Sequence, residues 1–396
     1  MDIRLHEFIQ SVMFVYRRED LPPEHEFPAD LEKLGYFINE KDQIRKIADP
    51  TQEFQYKINK NARVNDMQRE AMSECIRKTL ASRLRELNLT ILRLPLISKV
   101  NEAHVPILVS SNLSTASHII VVFGEPVQDL GIWAYRSIGV DGINAGSAVS
   151  FVKAVLQSET NKEGTNTESA PKRGNTALVL ANTGQLIWHC GARRPMTLPT
   201  WLAYPRPSAV DPPLMMTHRN KIPDNGCWED HISCVFNEIL ADRGRLVRHD
   251  AKISIVGIAE GGQGAIRHLS LNWEGWRGYI SAVVLTNPLH STDVELAVND
   301  EMSGSFLAFI SSRCRAYVIS DAPKGCLVPG SRRYGCNCYS SGEMQHVECI
   351  MPRAWKDMLE WLNRAHADPT MYEAQLKLKE MNDSDLETLN TDGSNE

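Results

Sequence analysis

The chain has 396 residues, 42% of them apolar, and a formal charge of −6. That is enough apolar chain for a sizeable core, and the acidic balance leaves direct nucleic-acid binding unlikely without a local basic patch. Residues 1–20 carry charges on both sides of a short apolar stretch and no small-residue cleavage site, and no run approaches ~18 apolar residues, which argues against a secretory signal and a membrane span.

Nine cysteines, an odd number spread irregularly, fit a reduced protein of the nucleus or cytoplasm rather than a secreted one. Residues 1–26 read as a weakly apolar leader that the prolines of "LPPEHEFP" bring to an end. "FPADLEKLGYFINEKDQIRKI" then gives a short helix and a strand that turns at Asn39-Glu40-Lys41. Residues 62–87 place apolar side chains at helical spacing among many charges, which predicts an amphipathic helix.

The predicted strands are short and apolar on both faces: 91–96, 118–124, 176–182, 252–258, 280–287, 315–320 and 336–341. Helical segments at 144–157, 228–247, 263–272 and 352–366 alternate with them. The pattern predicts an α/β fold, a doubly wound and mainly parallel sheet with helices on both faces, in one domain over 27–366. Two insertions interrupt it. The polar stretch 157–175 has no periodicity and reads as disordered. The proline-rich stretch 191–226, with Trp201, Tyr204 and Met215, is too apolar for a plain solvated loop. Residues 367–396 read as an acidic, disordered tail.

The strand at 252–258 runs into Gly257-Ile258-Ala259-Glu260-Gly261 and then a helix. A hydrolase holds its nucleophile at the centre of such a G-x-S-x-G turn, where the bracketing glycines let helix and strand approach closely. Here the centre is Ala259, which has no atom able to attack. The other members of a triad follow in chain order: Asp321 after the strand at 315–320 and His346 past the last strand. Without a nucleophile they form a degenerate site, and Asp321 reads equally well as a turn residue. The loop 123–133, where oxyanion donors belong, has Gly124 but then Glu125 and Pro126, which add negative charge and remove an N–H. Glu260 is a poor substitute nucleophile, since it stands one position past the apex.

Gly262-Gln263-Gly264 lacks the third glycine and the acid of a dinucleotide fingerprint, and the Gly261-Gly262-Gln263 triplet is too short to carry a release-factor reading. Cys326, Cys336, Cys338 and Cys349 near His346 offer C-x-C rather than C-x-x-C, which favours buried thiols over zinc. No cofactor and no metal is expected.

Several of these stretches together resemble one family. The F-P-x-x-L-x-x-x-x-Y-x-x-N-E segment from Phe27 to Glu40, "HIIVVFGEPVQDLGIWAYRSI", "KISIVGIAEGGQGAI" and "AVVLTNPLH" are similar to the Argonaute-binding protein 2 domain, over roughly residues 27–366. Some relatives have an H-S-x-G-G elbow, and on that pattern Ile258 and Ala259 stand where His and Ser would be. The resemblance implies an α/β-hydrolase-like module without catalysis that joins a silencing machine, through Argonaute and small RNA or through a histone deacetylase complex, in heterochromatin. The alternative is an esterase-like hydrolase with a non-standard nucleophile such as Ser341 or a cysteine near His346. Trp201, Tyr204, Met215, Arg193 and Arg194 in the proline-rich stretch are the candidate partner-binding residues, unless that stretch is a lid folded over the empty site.

Overall fold

The computed structural model describes residues 24–157, 175–208, 211–295 and 300–373. All but the two end residues of the insertion read at 157–175, nearly all of the leader and the tail from 374 onward lie outside the described residues.

Near the start, β1 (Tyr36–Ile38) and β2 (Ile44–Lys46) form an antiparallel hairpin. Asn39 holds its turn by accepting the backbone N–H groups of Lys41 and Gln43, while Asp42 takes the left-handed conformation at φ 64°. Helix α1 (Ala62–Glu86) follows, capped by Asn61, whose side chain accepts the Arg63 N–H.

The sheet then builds from β3 (Leu89–Leu94), β4 (Val105–Ser110) and β5 (His118–Phe123). After α2 (Tyr135–Val140) and α3 (Ala148–Gln157) comes β6 (Thr176–Leu180). Strand β7 (Ile187–His189) then pairs in a small hairpin with β8 (Arg194–Met196) at the start of the proline-rich stretch, which also holds helix α4 (Leu198–Ala203). Helix α5 (Trp228–Cys234), strand β9 (Lys252–Ile258), helix α6 (Glu260–Trp276) and strand β10 (Ile280–Thr286) form the centre. The chain closes with α7 (Thr292–Glu295), α8 (Asp300–Arg313), β11 (Cys314–Val318), β12 (Leu327–Val328), α9 (Ser331–Tyr334), β13 (Asn337–Ser340) and α10 (Ile350–Ala367).

Among the described residues the main sheet has nine strands in the order β12-β13-β11-β10-β9-β5-β6-β4-β3. From β6 through β5, β9, β10 and β11 to β13 the pairing is parallel, and both edges are antiparallel. With β12 left aside, the strands of this sheet counted in chain order lie 1-2-4-3-5-6-7-8. That is the order of the α/β-hydrolase fold, so the expected fold class holds.

Alternation along β5 shows how the sheet is buried on both sides. Ile119, Val121 and Phe123 join a core with Phe236, Leu269, Trp273 and Phe306 from one layer of helices. Ile120 and Val122 join another with Leu80, Phe151, Met358 and Trp361.

Three sequence expectations are corrected. Strand β4, with Pro106 inside it, was not expected; it pairs antiparallel to β3 with no helix between them to signal a separate strand. The helix expected over 228–247 stops at Leu240, because after α5 it widens into a π-helical turn, Val235–Leu240, and the chain then reverses through Gly244 at φ 90°. The tail boundary drawn at 366 is too early. Glu373 is hydrogen-bonded by Arg315, Asn337 and Tyr339, and Arg313 donates to the Met371 carbonyl, so residues 368–373 are strapped across the sheet edge.

The structure also fixes a histidine in its neutral form. His231 on α5 is fully buried; its Nε2 accepts the Asn182 N–H at 3.0 Å and its Nδ1–H donates to Asn225 at 2.6 Å. Protonation would set an N–H against an N–H, and burial lowers its pKa from 6.5 to about 3. The folded pKa is depressed, so the unfolded chain takes up the proton first and stability falls as the pH drops below about 6.5. Denaturant titrations at pH 7.5 and pH 5 should differ by about 2 kcal/mol from this group alone. His118, His268 and His366, each lowered chiefly by burial, act in the same direction. The loss should shrink by that amount in His231→Gln; an unchanged pH slope would refute the assignment.

Candidate functional site

Strand β9 delivers the chain to the turn with every residue from Ile253 to Ala259 buried. At the apex Ala259 has φ 47° and ψ −118°, a conformation sparsely populated by any residue with a Cβ and the one a nucleophile elbow requires. Its N–H donates to the Thr286 carbonyl of β10 at 2.9 Å, and its carbonyl accepts from Gln263 as α6 begins. The glycines are required by contact. A Cβ on Gly257 would lie 2.3 Å from the Gly262 Cα, and one on Gly261 would lie 2.4 Å from the Gly124 carbonyl oxygen. The backbone is thus that of a hydrolase elbow with a methyl group at its tip.

The loop after β5 lies against Gly261, two residues past this tip, with carbonyl oxygens turned toward it. The carbonyl oxygens of Phe123 and Gly124 press on Gly261, and the Gly124 and Glu125 carbonyls accept from the Thr183 hydroxyl at 2.7 and 3.3 Å. An oxyanion needs N–H groups aimed at it, and Pro126 has none to offer. Burial pushes the half-buried Glu125 carboxyl up, and the charges of Glu260 and Glu348 push it further, while Gln128 donates weakly at 3.4 Å and opposes them. The charges of Glu260 and of Glu348, which sequence reasoning missed, thus both act on Glu125. Glu348 arrives on the turn after His346 and is tied to α2 by Arg136 at 3.2 Å.

Asp321 and His346 do emerge beyond the carboxyl ends of β11 and β13. They do not form a pair: among the described residues no hydrogen bond or ion pair joins them. Asp321 is exposed, and the backbone N–H of His346 is held by Glu343 at 3.2 Å. The alternative nucleophiles are also poorly disposed. Ser341 is fully buried and donates its hydroxyl to the Val318 carbonyl at 2.8 Å; the Cys349 thiol is buried, and burial raises its pKa. Cys336 and Cys338 are buried and Cys326 is exposed, and among the described residues no group of three or more His, Cys, Asp or Glu side chains is arranged to hold a metal ion.

The proline-rich stretch is fastened to α1 rather than spread over the elbow. Arg63 donates to the Leu202 and Tyr204 carbonyls, and Thr200 donates to Glu70. Trp201 is 5% exposed, with its indole N–H on the Leu214 carbonyl, so it serves as an internal anchor and is not available to a partner. Tyr204 is half-buried and stacks on His189. Met215, 81% exposed, and Arg193 stand at the surface, and Arg194 is half-exposed with Glu74 at 3.6 Å.

The Arb2 domain family matches residues 27–324, which include the hairpin, the loop after β5 and the elbow. The chain belongs to this family. Strands β12 and β13 and helix α10 of this Arb2 protein lie beyond the matched stretch. Among solved structures it is similar to a histone deacetylase from Saccharomyces cerevisiae, at 16% identity and a TM-score of 0.39, over 74% of this chain and 96% of that one. It is also similar to the esterase Est22, at 12% identity and a TM-score of 0.33, over 80% of this chain and 96% of that one. A bacterial heroin esterase follows at 9% and 0.31, over 74% and 92%. No curated protein matches the chain in sequence. The fold assignment rests on strand order and elbow geometry, not on these distant likenesses.

The elbow strain generates a prediction. A residue with a Cβ at φ 47° and ψ −118° costs about 1–3 kcal/mol, of which glycine returns most while adding some unfolded-state entropy. Ala259→Gly should therefore raise the stability by about 1 kcal/mol in urea unfolding, whereas Gly261→Ala should lower it by more than that. A destabilised Ala259→Gly protein would show that the apex is not strained.

Proposed function

We propose that this Arb2 domain is a non-catalytic adaptor that couples to a gene-silencing machine in the nucleus, through Argonaute or histone deacetylase partners. The observation that carries the first half is Ala259: the strained apex is kept, and the reacting atom is gone. The reversed polarity of the Gly124–Pro126 loop and the three carboxylates around it support the same reading, because an oxyanion would be repelled there. The second half rests on family membership and is an analogy of the kind fold and family permit. Among the described residues no helix is long and apolar enough to cross a membrane.

The catalytic half is tested with a fluorophosphonate probe and a panel of p-nitrophenyl esters. Neither labelling nor turnover above the buffer rate is expected, and Ala259→Ser should add little, since the loop still presents carbonyls and carboxylates. Covalent labelling near the elbow would overturn the adaptor reading.

The partner half concerns the surface of the proline-rich stretch, where Leu202, Leu214, Met215 and Met216 are exposed. Arg193 and Arg194 border it as the polar rim. Met215→Glu should reduce recovery of an Argonaute or deacetylase partner from cell extract at least tenfold with the melting temperature held, as expected for a lost anchor of about 1.4 kcal/mol or more. Trp201→Ala should behave differently, lowering stability by about 3–5 kcal/mol because it empties a buried site. Full recovery with Met215→Glu would remove this surface from the proposal.

A further inference from the structure

Between α1, α2 and the proline-rich stretch lies a cavity of about 550 Å³, a size common for small-molecule sites. Ile44, Met72, Ile76 and Ile138 give it apolar walls, and Glu70 and Asp129 reach it from one side. Behind them the charge balance is uneven. Glu70, Glu74 and Asp129 all pair with the single guanidinium of Arg77, at 2.5, 2.7 and 3.0 Å.

Two of the three carboxylates have further partners of weight. Asp129 also accepts the Tyr135 hydroxyl at 2.6 Å and the Gln185 amide at 2.7 Å, and Glu74 has Arg194 at 3.6 Å. Among the described residues Glu70 has Arg77 on one oxygen and the neutral Thr200 hydroxyl, at 3.1 Å, on the other, and no further partner. Burial pushes its carboxyl up, and the charge of Asp129 adds to this against the pull of Arg77. The cations at the rim are committed elsewhere: Arg69 to Asp66 at 3.3 Å and over the Tyr56 ring, Arg136 to Glu348 at 3.2 Å. The third acidic group of the lining, Glu53, stands 4.0 Å from Arg45, and Glu74 lies behind the lining.

We propose that this cavity is a binding site for an alkylammonium group, its ammonium on Glu70 and its aliphatic stem against Met72, Ile76 and Ile138. A hydrocarbon stem matches the apolar walls, and a cation supplies the counter-charge that Glu70, which shares Arg77 with Glu74 and Asp129, does not have to itself. A free amine and a lysyl side chain share this chemistry. No residue of the elbow, Gly257 to Gly261, is in the cavity's lining, though Val127, Gln128 and Asp129 of the loop after β5 are, and the inference does not depend on the adaptor reading.

The test is calorimetric titration of the full chain at pH 7.5 with hexylamine, hexanol and hexanoate. Hexylamine should bind at least about tenfold more tightly than either, the margin expected of one charge-assisted contact. Glu70→Gln should abolish that margin and leave hexanol binding unchanged. The ligand series on the unaltered protein decides the matter even if this variant does not fold: equal binding of hexanol, preferred binding of hexanoate, or no binding of hexylamine at millimolar concentration would each overturn the proposal. A blocked Ala-Lys-Ala peptide separates the two sources. Its competition with hexylamine points to a lysyl side chain, and its failure to compete with hexylamine already bound points to a free amine.

Discussion

The structure turns on the contact between Gly257 and Gly262, where the end of β9 and the first turn of α6 touch backbone to backbone. No side chain fits between them, since a Cβ on Gly257 would sit 2.3 Å from the Gly262 Cα and 2.9 Å from a Leu285 methyl. That contact sets how closely α6 lies on the sheet, and so whether Ala265, Ile266 and Leu269 reach the core formed with β5, β9 and β10. It also forces the reversal between strand and helix into a single residue. Ala259 pays with a left-handed backbone, and the loop after β5 must then fit against Gly261.

A second constraint works from the opposite side. Arg63 and Glu70, which accepts the Thr200 hydroxyl, fix the proline-rich stretch to α1, and His231 ties the far end of that stretch, through Asn225, to the end of β6 at Asn182. The stretch is thus held at both ends by polar groups that are buried or half-buried. Such groups are costly when only partly satisfied, so the fastening is specific. This explains why Trp201 turns inward while Met215, between the fastened ends, remains outside.

How much was legible follows from which interactions are local. The central strands were legible because each is a β-branched run buried on both faces, and the elbow because its first close contact, Gly257 on Gly262, is made within six residues of chain. Strand β4 was not, since a hairpin edge has no helical segment to set it off. The missing link between Asp321 and His346 could not be read either: chain order gives the side of the sheet on which each emerges, not the rotamer or the exposure. Glu348 was hidden for the same reason, because its approach to Glu125 is set by the docking of one loop on another. One signal was available and unused. Glu70, Glu74 and Arg77 stand at i, i+4 and i+7 of a helix, a spacing that puts all three on one face and should have raised the question of what that face meets.

The elbow finally bears on how activity is inferred from geometry. A strained apex is ordinarily read as stored for catalysis, because strain persists only where the surrounding structure imposes it. Here the surroundings impose it without chemistry: the Gly257–Gly262 contact and the Ala259 N–H bond to Thr286 hold φ positive whatever side chain is present. Strain at this position is therefore a property of how the helix docks on the sheet, and the reacting atom is a separate requirement added to it. An elbow in this fold identifies where a nucleophile can stand; whether one stands there must be read from the residue at the apex and from the polarity of the loop that faces it.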